Sequence, residues 1–354
     1  MTDAEHRAQP SDWGIWGLAF GYFACYVPYS ALTKAISSGL FPSVPHGISG
    51  VALLPISVMA SLVSTTIFLS AMRWWKHATQ WRLGSWSLPR PTLWTGLSGL
   101  CTAAILLTTT LAYTFDGVSI VFVMLLMRGG VLVIAPVVDA VTGRKTRWFS
   151  WVGLLLSLAA LVVAFSENGG YTITLLCAID VALYLASYFV RLRLMTRLAK
   201  AEDPSVSRRY FVEEQLVATP ASVALLVALA LIDRGALAHE VRVGFTDVFA
   251  SPVVLEIVFL GVMSQGTGIF GGLVFLDKRE NTFTVPVNRA ASILAGVLAS
   301  FTLALLAAAH APSAFELAGA ALVVVAIVFL SVPPALEKRR LAAARAAAAG
   351  AAAP

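Results

Sequence analysis

The chain has 354 residues, 58% of them hydrophobic and 12% charged, and a formal net charge of +6. A soluble domain carries about 25% charged residues, so this chain lacks the polar surface to coat a particle in water and is expected to be covered by lipid. The positive charge does not indicate a nucleic-acid partner, because the basic residues fall in short clusters between apolar runs.

Residues 1–12 are polar and mixed in charge, without the basic region or cleavage site of a secretory signal, and read as a cytoplasmic tail. Ten apolar runs follow, each near the ~20 residues a helix needs to cross a bilayer core. They lie near 13–33, 47–72, 92–112, 117–141, 148–166, 171–194, 213–233, 252–275, 283–308 and 313–334. None shows the period-two alternation of barrel strands. Pro28, Pro55, Pro136, Pro220 and Pro286 fall within or at the start of these runs, as membrane helices tolerate. Cys25, Cys101 and Cys177 all lie in apolar runs and read as packing residues.

With the N-terminus in the cytoplasm, 20 of the 25 Lys and Arg residues fall on that side and three (Lys34, Arg234 and Arg242) on the other. This positive-inside bias sets the expected orientation, with both termini cytoplasmic in a plasma membrane or bacterial inner membrane. The basic segment 191–209 is expected either to determine topology, as an amphipathic continuation of the sixth helix, or to meet lipid headgroups. Residues 335–354 read as a low-complexity tail, a frayed helix or disordered.

Internal similarity organises the rest. FDGVSIVFVMLLMRGGVLVIAPVVD (115–139) aligns with LDKRENTFTVPVNRAASILAGVLAS (276–300), setting Asp116 on Asp277 and Arg128 on Arg289, both 161 positions apart. YFACY (22–26) matches YLASY (184–188), and LLPISVMASL (53–62) resembles VATPASVALL (217–226). The expected architecture is an all-α membrane protein of ten transmembrane helices in two five-helix repeats, 13–166 and 171–334. Five is odd, so the second repeat enters the membrane inverted, and inverted repeats place a substrate site near the midplane between the halves.

Ten spans in two inverted halves, with short loops and the run RGGVLVIAPVVDAVTGRKTRWFSWVGLLLSLAALVVAF from Arg128 to Phe165, resemble the drug/metabolite transporter superfamily of EamA-like type. Residues Asp139 to Gly143 stand where many members carry an acidic residue before a basic loop. The resemblance implies a secondary transporter with a cavity lined mainly by spans one, three, four, six, eight and nine, and it names no substrate.

Several residues are candidates for that cavity. Arg128 and Arg289 lie deep within their spans, where an arginine costs roughly 2.5–3.5 kcal/mol and should face a cavity or a counter-ion. They read either as a cationic site for an anionic or carboxylate-bearing substrate or as structural locks paired with neighbouring acids. Tyr22, Tyr26 and Tyr29 share one face of the first span, and Asp180, Tyr184, Ser187 and Tyr188 make a matching face on the sixth. Four of the tyrosines (Tyr22, Tyr26, Tyr184 and Tyr188) are expected to line the cavity, whereas Tyr29 reads rather as an interfacial residue.

Asp180, an intramembrane carboxylate, is a candidate proton-coupling site or a partner for an arginine. Glu213 and Glu214 are expected to be solvated or salt-bridged at a cytoplasmic mouth, and Asp116 and Asp277 to cap helices. Gln265 and Thr267, with Thr108, Thr109 and Thr110, offer hydrogen bonds at membrane depth within glycine-rich surroundings that suit a hinge or plain helix packing.

No HExxH, GxSxG or phosphate-cradling loop is present, and the five histidines lie in tails, loops or span ends. No cofactor, metal or catalytic function is expected. The expected partners are a small-molecule solute and the bilayer, and the chain leaves room for a homodimer. A flippase for a lipid-linked anionic head group is the alternative within transport. A membrane scaffold or an embedded enzyme is the alternative outside it. The orientation is testable directly: a cysteine replacing Ser205 in a cysteine-free background should react with an impermeant maleimide in inverted vesicles and not in intact cells, and the opposite pattern would reverse the assignment.

Overall fold

The computed structural model describes residues 13–83, 86–112, 120–166, 175–201, 203–307 and 314–351. The expected tail 1–12 and Asp116 lie outside them. Eleven α-helices run in order among the described residues: α1 (Trp13–Ser37), α2 (Gly50–Ala71), α3 (Leu93–Leu111), α4 (Ile120–Val141), α5 (Trp148–Phe165), α6 (Leu175–Leu198), α7 (Pro204–Ile232), α8 (Ala236–Phe245), α9 (Val254–Phe275), α10 (Asn281–Ala307) and α11 (Ala314–Ala351). Six of them, α1, α2, α6, α7, α9 and α10, are long and apolar enough to cross a membrane, which makes this an all-α membrane protein. Shorter apolar stretches occupy α3, α5 and α11.

Helix contacts fall into matched sets. α1 packs on α9 and α10, and α6 packs on α3 and α4. α2 packs on α9, and α7 packs on α3. Glycines set the closest of these crossings. A side chain at Gly99 on α3 would meet Val217 on α7 at 2.6 Å, and one at Gly261 on α9 would meet Ala60 on α2 at 2.7 Å. Small residues let helix backbones approach where lipid supplies no competing hydrophobic drive.

Several boundaries differ from the sequence reading. α7 begins at Pro204 rather than near 213, because Asp203 caps it, accepting from Ser205 N at 2.8 Å, and proline fits the first helical turn. The basic segment 191–209 is therefore divided between the end of α6 and the start of α7. The low-complexity tail continues α11 to Ala351 as helix, consistent with the high helix propensity of alanine. α8 is a short additional helix packed on α2 and α7.

Strands β1 (Thr79–Leu83) and β2 (Trp86–Arg90) form an antiparallel hairpin in the connection where only a loop was expected. Glu213 on α7 anchors it, accepting from the Thr79 amide (3.0 Å) and hydroxyl (2.7 Å), and also from Thr92 and Thr95. Glu213 is fully buried and held by amides and hydroxyls, which corrects the expectation of a solvated or salt-bridged side chain.

At the end of the bundle where α4 and α6 finish and α10 starts, polar contacts knit the segments together. Asp139 takes the role expected of Asp277. It accepts from the backbone amides of Asn281 (3.0 Å) and Thr282 (2.7 Å) and from both their side chains, capping α10 from another helix. Asp277 instead accepts from the Arg279 amide at 3.1 Å. Arg144 donates to the carbonyls of Lys278, Arg279 and Lys200.

Lys200, beyond the end of α6, donates to the Arg279 carbonyl at 2.7 Å and the Thr284 hydroxyl at 3.3 Å. Desolvation first, and then the Arg144 charge, push its pKa down to about 7, against the pull of Asp139, Asp277 and Glu280. Between about pH 7 and the ordinary lysine value near 10, the unfolded chain holds a proton here that the folded chain does not, so stability rises with pH across that window. Below about pH 7 both states hold the proton and this contribution no longer changes. The melting temperature in detergent should thus climb from about pH 7 to about pH 9, and Lys200→Met should flatten the climb; an unchanged slope in the variant would assign it to other groups.

Candidate functional site

Seven helices surround one internal cavity: α1, α3, α4, α6, α7, α9 and α10. They comprise the helices formed by the six apolar runs named in the sequence analysis as cavity-lining, together with α7. Its volume is about 130 Å³, measured as the space open to water centres, against roughly 10–15 Å³ for a single water by the same measure. A narrower void shares Tyr29, Leu106 and Ser264 with it and leads on past Thr33, Leu53 and Ser57.

The eight residues singled out as substrate-binding candidates, Arg128, Arg289, Tyr22, Tyr26, Tyr184, Tyr188, Gln265 and Thr109, all line this cavity. Arg128 is 7% exposed and Arg289 3%. Arg128 on α4 donates from Nη2 to the hydroxyl of Tyr26 on α1 and stacks over that ring, 4.9 Å from its centroid. Arg289 on α10 donates from Nη1 to Tyr184 (3.2 Å) and from Nη2 to Tyr188 (2.9 Å) on α6. It lies 5.1 Å from the Tyr188 ring centroid and 5.8 Å from that of Phe275. In each case hydroxyls solvate the charge at its edge while an aromatic face meets it from the side. The i, i+4 spacing of the tyrosine pairs puts both rings of a pair over the same guanidinium-facing surface, with centroids 5.4 Å apart for Tyr22 and Tyr26 and 4.7 Å for Tyr184 and Tyr188.

Gln265 reaches toward Gln215 on α7, Nε2 to Oε1 at 3.5 Å. Thr109 and Thr267 turn their hydroxyls back to the carbonyls of Ile105 and Ser264. The glycines of α9 pack rather than gape: a side chain at Gly271 would meet the Tyr22 ring at 2.9 Å, and one at Gly266 the Cys25 sulfur at 2.5 Å.

Asp180 is buried one turn before Tyr184 on α6 but does not line the cavity. Its Oδ2 has no hydrogen-bond partner among the described residues. Tyr29, expected at the interface, is instead buried at the cavity wall and stacks edge-on with Tyr26 at 5.5 Å.

Two further residues escape a reading by sequence. Arg191, counted among the cytoplasmic charges, is buried on α6 and lines the cavity. It makes a two-point contact with Glu214 on α7, Nε to Oε1 and Nη2 to Oε2, both at 2.9 Å. Ser98 (2.5 Å) and Thr102 (3.1 Å) complete the shell of Glu214 from α3, and Tyr210 supports Ser98 at 2.6 Å. Asn288, beside Arg289, also lines the cavity. The available signal was helical phase: Arg191 lies three and seven positions beyond Tyr188 and Tyr184, on the face they share.

No protein-family model and no characterised protein matches the chain. Twenty-seven solved chains match it. One of these, a crystal structure 16% identical in sequence, superposes with a TM-score of 0.51, covering 92% of this chain and 99% of its own. At that identity the likeness concerns the fold alone.

Because one charge of the Arg191–Glu214 pair left alone is buried without compensation, Glu214→Leu or Arg191→Leu should each cost about 3–5 kcal/mol. The double replacement should recover most of that loss. Thermal unfolding of the three variants in detergent measures the coupling; additive losses would show that the two residues act independently.

Proposed function

We propose that this chain is a secondary transporter of a small organic, anionic or carboxylate-bearing solute, of the drug/metabolite transporter kind. In this reading α8 lies outside the bilayer and the other ten helices span it as two inverted five-helix halves, 13–166 and 171–334. Both termini are cytoplasmic. The site is the central cavity, and the halves rock about it to expose it to each side in turn.

One observation carries the reading: each half contributes a mid-span arginine held by tyrosines from the first helix of that same half. Arg128 is held by Tyr26, and Arg289 by Tyr184 and Tyr188, around a shared cavity. The matched helix pairings, α1 with α9 and α10 against α6 with α3 and α4, support the inverted repeat. A scaffold has no need of a polar cavity flanked by two arginines at depth. The anionic preference follows from the lining, in which the charged groups among the described residues are all arginines.

Counterflow in proteoliposomes tests this. Vesicles preloaded with a mixture of organic acids should accumulate labelled members of the mixture, and Arg289→Gln should lower the rate at least tenfold while the purified protein keeps its melting temperature. Normal rates in both Arg128→Gln and Arg289→Gln would remove the arginines from the transport site.

A further inference from the structure

Several polar side chains that line the cavity are satisfied within the fold. Arg191 is neutralised from behind by Glu214, and Thr109 and Thr267 bond carbonyls of their own helices. Asn288 on α10 is not. It is 1% exposed, and among the described residues neither its amide oxygen nor its amide nitrogen has a hydrogen-bond partner. A buried side-chain amide with both ends unmade is uncommon, and the loss of water from both is uncompensated. Its nitrogen lies where α9 and α1 meet: a side chain at Gly271 would come within 3.1 Å of it and within 2.9 Å of the Tyr22 ring. All three residues line the cavity.

The next residue along α10 is Arg289, its Cα about 3.8 Å away. Its hydrogen bonds among the described residues go to the neutral hydroxyls of Tyr184 and Tyr188, and its buried Nε has no partner there. The hydroxyl of Thr219 on α7, buried in the same lining, is likewise unpartnered. The described lining contains no aspartate or glutamate.

These unmade bonds specify a ligand group by group. A guanidinium fork with a spare donor suits one carboxylate. The Asn288 amide presents donors and an acceptor side by side, and its complement is a neutral group that both accepts and donates, a hydroxyl or a carboxamide. A second carboxylate would leave the amide oxygen without a donor, and an ammonium would leave the amide nitrogen without an acceptor.

We propose that the cavity takes a monocarboxylate bearing one neutral hydroxyl or carboxamide, with the carboxylate at Arg289, the neutral group at Asn288 and the Thr219 hydroxyl as a further contact. The inference rests on the transport reading of this cavity and narrows its substrate; it requires one negative charge and one arginine.

The test measures melting temperature in detergent against butyrate, lactate, 3-hydroxybutyrate, 4-hydroxybutyrate, succinamate, succinate, γ-aminobutyrate, succinamide and inorganic phosphate. A ligand that binds the folded state raises it by mass action. At least one hydroxy or carboxamide acid should match the butyrate shift at roughly a tenth of the concentration, the return on one hydrogen-bonded group. Succinate and γ-aminobutyrate should do no better than butyrate, and succinamide should give no shift. Asn288→Leu should abolish the preference and keep the butyrate response. Its melting temperature without ligand should not fall, because the fold loses no hydrogen bond. Arg289→Lys, which keeps the charge and loses the fork, should weaken every acid. Equal shifts from butyrate and all the hydroxy and carboxamide acids, the largest shift from succinate, γ-aminobutyrate or phosphate, or no shift from any acid would overturn the assignment. So would an unliganded Asn288→Leu that melts lower, which would make the amide structural. Counterflow separates this from the parent reading. Transport of simple acids with no preference for a hydroxyl or carboxamide sinks the substrate class alone. The binding preference without transport of any acid leaves the site and sinks the transporter.

Discussion

Charge carried into an apolar interior has to be solvated by the protein itself, and in this fold that constraint governs the middle of the molecule. Arg128 and Arg289 are buried, at 7% and 3% exposure, where an unaided charge is costly. Hydroxyls and ring faces of tyrosine accommodate them. The bonds run between helices that are not packed on one another: α1 packs on α9 and α10 while its Tyr26 holds Arg128 on α4, and α6 packs on α3 and α4 while its tyrosines hold Arg289 on α10. The glycines of α9 then let that helix approach α1 closely enough to close the wall behind Tyr22.

Arg191 shows the other way of meeting the same constraint. Its charge is met by a carboxylate on the neighbouring helix, itself wrapped in hydroxyls from α3. A pair closed in this way fixes the packing of α6 on α7 and leaves little charge for anything in the cavity. Arg289, whose hydrogen bonds among the described residues go to neutral tyrosine hydroxyls, is equally fixed in position but keeps its field.

Much of this was legible in the chain. Hydrophobic runs marked the helices, and internal sequence similarity singled out Arg128 with Arg289 and Tyr22 and Tyr26 with Tyr184 and Tyr188, all of which line one cavity. Arg191 was misplaced for a physical reason: it was counted with the cytoplasmic charges of 191–209, expected as an amphipathic continuation of the sixth helix, but it lies on the buried face of α6, which runs on to Leu198. Glu214 is salt-bridged, one of the two states expected of it, whereas Glu213 is neither solvated nor salt-bridged among the described residues, because its partner Thr79 lies more than 100 positions earlier. No local pattern encodes such a contact. The capping of α10 by Asp139 escaped for the same reason, since a cap supplied by another helix leaves no trace beside the helix it serves. Tyr29 had the position of an interfacial ring, and only the packing of α2 and α9 beside it turns that position into a wall.

The hairpin of β1 and β2 has a seat made by Glu213, 134 positions further along the chain than Thr79. During synthesis the strands therefore emerge well before the carboxylate that receives their amide and hydroxyl. The connection between α2 and α3 cannot take its final place before α7 is made, however completely α2 and α3 have formed. It is fastened only when α7 arrives, so an early connection is finished by a late helix.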